Sequence, residues 1–190
     1  MINNFGMKKV IVIPLLLLSF FFASSIFAQD NKTNCVANQS LPDSSCTPGL
    51  VLTTGTDIIC VPGYSKKVRD VSKKTKQQVY ANYGLSYEER AGYQVDHLIP
   101  SMLGGSNDIS NLWPQKYDQE YGVAAKVKFE DYLYQAVCQK LMSIEEAQRE
   151  ISTDWVGYYK LKLELMGENF RPLAGLAKIV DVNNQTEILS

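Results

Sequence analysis

One histidine serves the whole chain. His97 directly follows Asp96, and Asn111 comes fourteen residues later, beyond Gly104-Gly105 and Asn107-Asp108. An imidazole titrates near pH 6.5, so it can take a proton from water under neutral conditions. A carboxylate beside it can seat a hard divalent cation such as magnesium, with manganese as a substitute. Those parts suit phosphodiester hydrolysis, which needs an activated water, charge stabilisation on the phosphoryl oxygens and help for the departing 3′ oxygen. A metal acting as a Lewis acid gives that help. The Asn111 amide donates and accepts at once, which suits it to brace the loop that orients His97. The catalytic candidates are therefore His97 as base, Asp96 as metal ligand and Asn111 as brace. The bland alternative is an Asp96-His97 pair that serves only as buried structure.

The elements that must carry these residues are legible from local pattern. Tyr93 to Ile99 reads as a strand ended by Pro100, and Leu103 to Asp108 as a loop. Ile109 to Trp113 reads as a second strand, which puts Asp96-His97 and Asn111 on facing strands. From Asp118 to Leu141, Val123, Val127, Phe129, Leu133, Ala136, Val137 and Leu141 trace an approximate helical face. Ser143 with Glu146 forms a capping box, so a further helix begins there, breaks near Ser152-Thr153-Asp154, restarts at Trp155 and ends at Gly167. Upstream, Leu50-Val51-Leu52 and Ile58-Ile59-Cys60-Val61 suggest two extended pieces, and a helix runs from Ser72 or Thr75 to Tyr83, stopped by Gly84.

Residues 1–28 read as an export signal. Lys8-Lys9 precede an apolar run from Val10 to Phe22, and Ala28 offers a small residue for cleavage before Gln29. The run is shorter than the roughly 20 residues of a spanning helix, and no cysteine lies at the cleavage point for lipid attachment. The mature chain is then expected in the periplasm or outside the cell, without stable membrane association. About 160 residues remain, enough for one domain over 44–167. Residues 29–43 read as a loosely ordered leader and 168–190 as a loose tail. Cys35, Cys46, Cys60 and Cys138 are even in number in an exported chain, so disulfides are expected. Three pairings are possible; Cys60 with Cys138 would staple the two flanks of the site.

With Lys8 and Lys9 removed, 17 basic residues face 20 acidic ones, a net charge of −3. That balance is not typical of a nucleic-acid binder, but distribution counts for more than the sum. Lys66, Lys67, Arg69, Lys73, Lys74 and Lys76 crowd one short stretch against Asp70 alone. Such a cluster can hold phosphates, or can be an ordinary solvated face.

The segment from Tyr93 to Gln115 resembles the signature of HNH nucleases, also called His-Me finger or ββα-metal nucleases. Its core is Asp96-His97-Leu98-Ile99-Pro100, Gly104-Gly105, Asn107-Asp108 and Asn111-Leu112-Trp113-Pro114. Ser45-Cys46-Thr47-Pro48-Gly49, Cys60-Val61-Pro62-Gly63-Tyr64-Ser65, Ala147-Gln148-Arg149-Glu150-Ile151 and Asp154-Trp155 extend the similarity to a group of small exported bacterial HNH-like proteins. The resemblance implies an α+β domain with a ββα-metal core and additional helices. It also implies an exported, metal-dependent endonuclease acting on DNA or RNA, with a helix carboxylate as second metal ligand. Counting from Asn111 gives Glu120, with Asp118 and Glu130 as alternatives. The chain departs from that pattern at Ser101-Met102-Leu103 and at Lys126-Val127, where the family has a Lys-Asp pair. No base-reading module is recognisable, so low sequence preference is expected. A catalytically silent module binding nucleic acid or protein is the alternative. The sequence leaves the oligomeric state open.

Overall fold

The computed structural model describes residues 33–38 and 40–167; the expected signal peptide and tail lie outside them. The described chain mixes helices with one small sheet and is of α+β type. Three helices come first, α1 (Thr56–Ile59), α2 (Tyr64–Val68) and α3 (Lys73–Asn82). Strands β1 (Tyr93–His97) and β2 (Leu112–Lys116) follow, then α4 (Val123–Cys138) and α5 (Ile144–Met166). β1 and β2 pair antiparallel, with Asp96 opposite Trp113 and His97 opposite Leu112.

Local chemistry sets the helix ends. The Ser72 hydroxyl accepts from Thr75 N at the start of α3, and Ser143 accepts from Glu146 N at the start of α5. Each satisfies one of the amides that an α-helix leaves open at its first turn. α4 begins after Gly122, where a Cβ would lie 2.7 Å from Tyr117 O. Phe129, Leu133 and Val137 recur every fourth residue and bury one face of α4. They meet Ile144, Ala147, Ile151, Trp155 and Tyr159 of α5 in the main core. Each large side chain fully buried there contributes about 1.5–3 kcal/mol of transfer free energy. α5 is interrupted at Asp154, whose φ of −153° is not helical, close to the break expected from sequence. A smaller cluster of Val79, Val95 and Leu112 seats α3 on the hairpin.

Several elements differ from the sequence reading. Ile58 to Val61 is not extended. Ile59 N and Cys60 N donate to Gly55 O and Thr56 O, so local bonds close a helical turn and Ile59 enters the core. Val51 makes only an isolated bridge to Gly105. Ile109 to Asn111 forms a 3₁₀ turn because the Asp108 carboxylate accepts from Ser110 N, so Asn111 precedes β2 instead of lying on it. Helix α4 starts later than Asp118 and ends at Cys138.

The segment from residue 33, expected as a loose leader, is laced to the domain. Cys35 N donates to Asn82 O at 2.9 Å, and Trp155 Nε1 donates to Ser40 O at 2.9 Å. Cys35 bonds to Cys46, and Cys60 bonds to Cys138. The second bridge ties the turn after α1 to the last residue of α4. Two disulfides fit an oxidising, exported environment. Among the described residues no helix is long and apolar enough to cross a membrane.

Candidate active site

Asn111 is fully buried and uses its whole amide. Its Oδ1 accepts from Ile99 N at 3.0 Å and Leu50 N at 3.3 Å, while Nδ2 donates to Ile99 O at 2.9 Å and Ser106 O at 2.8 Å. These bonds close the loop between β1 and β2. The closure needs glycine at 105, where a Cβ would lie 1.7 Å from Ile99 O.

His97 ends β1 with 2% of its surface exposed. Its Nε2 lies 2.9 Å from Asn107 Oδ1. Asn107 Nδ2 donates to Val68 O at 2.7 Å, and a carbonyl can only accept, so the amide orientation is fixed. Asn107 Oδ1 therefore accepts from a protonated Nε2, and Nδ1 is left as the basic nitrogen of the neutral ring. Burial holds the ring's pKa below its ordinary value, against the pull of Asn107 and Asp96. At neutral pH the ring is a free base.

Asp96 makes a different set of contacts. Successive residues of a strand point to opposite faces. Val95 and His97 share the side that meets α3, and Asp96 is directed to the other, where α4 reaches it. Lys126 Nζ donates to Asp96 Oδ2 at 2.8 Å, to His97 O at 2.7 Å and to the Glu130 carboxylate one helical turn further along. Lys126 is 1% exposed. Burial opposes its charge, but Asp96 and Glu130 outweigh that and hold the ammonium above its usual range. Burial also pushes Glu130 up, against the pull of Lys126.

The helix carboxylate brought to Asp96 is thus Glu130, one of the alternatives to Glu120. Glu120 is exposed ahead of α4 and accepts from the Tyr121 hydroxyl at 2.7 Å. Asp118 is also exposed before the helix. Val127, where the resemblance leads one to expect an aspartate, is 46% exposed. Lys66, Lys67, Arg69, Lys73, Lys74 and Lys76 are all exposed, on α2, at its end and on α3. The end of α2 touches the site through Val68 O, and the Arg69 charge reaches both His97 and Glu130.

Sequence reasoning assigns no role to Asn107 or Lys126. The signal for Lys126 was its place one turn before Glu130, amid the apolar positions of α4. Its ammonium spends all three protons on oxygens that a divalent ion bound by Asp96 and Glu130 would claim. As placed, these residues fit an ammonium and not a metal ion, so no chemical step is routed through one. Comparisons with family models, curated proteins and solved structures returned no match.

Proposed function

We propose that this protein is an exported endonuclease of the HNH type, hydrolysing phosphodiester bonds of DNA or RNA with little sequence preference. The observation that carries the reading is the placement of His97: its Nε2 lies 2.9 Å from Asn107 Oδ1, and the Asn107 amide holds Val68 O, within the basic segment, which leaves Nδ1 as the candidate basic atom. In the reaction His97 Nδ1 takes a proton from water as the water oxygen bonds to phosphorus. The bond from phosphorus to the 3′ oxygen breaks, and that oxygen leaves with a proton from solvent. The strand-loop-strand-helix order of β1, β2 and α4 agrees with the ββα core that the resemblance implies.

A specific observation favours a second reading. His97 is 2% exposed and Asp96 8%, which suits a silent binding module as well as an enzyme awaiting substrate. For cleavage, water must reach Nδ1 of a ring that is nearly sealed from solvent. Incubating the oxidised mature protein with plasmid DNA and with single-stranded RNA, with and without magnesium and manganese, separates the two. The nuclease reading expects cleavage that His97→Ala abolishes while nucleic-acid binding persists. Binding by the wild type with no cleavage under any of these conditions establishes the silent module instead.

A further inference from the structure

A buried and a half-buried carboxylate near a catalytic imidazole pose an electrostatic problem for any phosphodiesterase, because the substrate is itself an anion. The usual remedy is a divalent cation, which cancels the carboxylates and draws in the phosphate. Here a cation of another kind is already in place. Lys126 reaches from α4 to Asp96 Oδ2, the Glu130 carboxylate and His97 O, and it is 1% exposed. An ammonium has three protons, and these three oxygens use them all. All three protons of the ammonium are spent within the cluster, and a metal ion bound between Asp96 Oδ2 and the Glu130 carboxylate would have to displace a buried, fully hydrogen-bonded lysine.

We propose that Lys126 is the resident cation of this site, replacing the divalent ion and excluding it. The inference deepens the nuclease reading, since its consequence is cleavage that survives a chelator. Its core concerns occupancy alone and stands whether or not the protein cuts. Lys126 is a positioning residue: its protons are committed to Asp96, His97 and Glu130, so it does not touch substrate. Through His97 O it also holds the end of β1, and so fixes the backbone from which the imidazole projects. Arg69, exposed at the end of α2, adds a second positive charge whose influence reaches His97 and Glu130.

His97 is the only histidine of the chain, so its ring signals in a proton–nitrogen NMR spectrum need no assignment. The test is to add one equivalent of manganese chloride to the untagged, oxidised mature protein and watch those signals. A manganese ion at Asp96 would broaden them beyond detection. The proposal expects them to survive in the wild type and to be lost in Lys126→Ala, where Asp96 and Glu130 become available to the ion. Loss of the signals in the wild type overturns the proposal without reference to any variant. Their survival in a folded Lys126→Ala also overturns it, because the lysine is then not what excludes the metal. Cleavage is scored separately with chelator present, so a failure of the nuclease reading is told apart from a failure of this one.

Discussion

Asn107 joins the imidazole of His97 to the last carbonyl of α2: its Oδ1 lies 2.9 Å from Nε2, and its Nδ2 lies 2.7 Å from Val68 O. One side chain therefore sets the tautomer of the candidate base and ties that base to the basic segment. Burial lowers the pKa of His97. The base stays unprotonated somewhat below pH 6.5, and the acid limb of a cleavage profile should lie below that value. Stability follows the same sign. The unfolded chain takes up this proton more readily than the folded one, so stability falls as pH drops through 6.5 toward the lowered folded value. Asn107→Asp puts a carboxylate against Nε2 and favours the imidazolium. The titration of the His97 ring, read by NMR, should move up by about one unit or more. A titration that does not move would remove Asn107 from any control of the ring.

The hairpin, its paired glycines and the start and break of α5 were legible in sequence because each is local. A Ser with Glu three residues on, or a Gly-Gly loop ahead of Asn111, carries its structural reason within a few positions. The Lys126 cluster was not legible for the opposite reason. It joins residues thirty positions apart, and which helix carboxylate turns toward Asp96 depends on where α4 starts. Gly122 delays that start, leaving Glu120 in solvent and bringing Glu130 inward. The short helix at Thr56–Ile59 was missed because an apolar run of four residues has no readable period. Asn107 stood within the motif, but its role depends on Val68, thirty-nine positions away.

The basic segment makes a separate, salt-dependent prediction. Lys66 and Lys67 are exposed on α2, whose end abuts the His97 loop. If both contact phosphates, substituting both with alanine should flatten the plot of log affinity for duplex DNA against log salt by about 2. Binding should weaken to a similar extent across unrelated sequences, because such contacts read the backbone. An unchanged slope, measured by fluorescence anisotropy between low and moderate salt, returns the cluster to the role of a solvated face.

Away from the site, Glu150 of α5 is 1% exposed. Its Oε1 lies 3.9 Å from Lys162 Nζ, and its Oε2 has no hydrogen-bond partner. Burial raises its pKa from 4.5 to about 7, with Lys162 opposing. The folded chain therefore keeps a proton that the unfolded chain gives up. The stability this contributes is fully present below pH 4.5 and is lost as pH rises toward 7. Glu150→Gln mimics the protonated form at every pH. The two proteins should be matched near pH 4.5, and the variant should become more stable by up to about 3 kcal/mol at pH 8. Urea melts that stay parallel from pH 5 to 8 would show that Glu150 ionises normally.

The two disulfides should differ in value because they close loops of different length. Cys60 and Cys138 are 78 positions apart, and Cys35 and Cys46 are 11. Chain-entropy arguments give about 4.5 kcal/mol for the longer loop and about 3 kcal/mol for the shorter. Replacing Cys60 and Cys138 together by alanine should then lower the melting temperature by about 5 °C more than replacing Cys35 and Cys46. Activity should follow the same order, because Cys138 ends the helix that carries Lys126 and Glu130, whereas Cys35 and Cys46 lie in the segment before α1. A chain that cuts only when this bridge is formed would be harmless before export and active after it, since a reducing cytoplasm leaves the thiols free. The check is to compare cleavage rates of oxidised and fully reduced wild type at equal concentration. Equal rates would leave the bridge a role in stability alone.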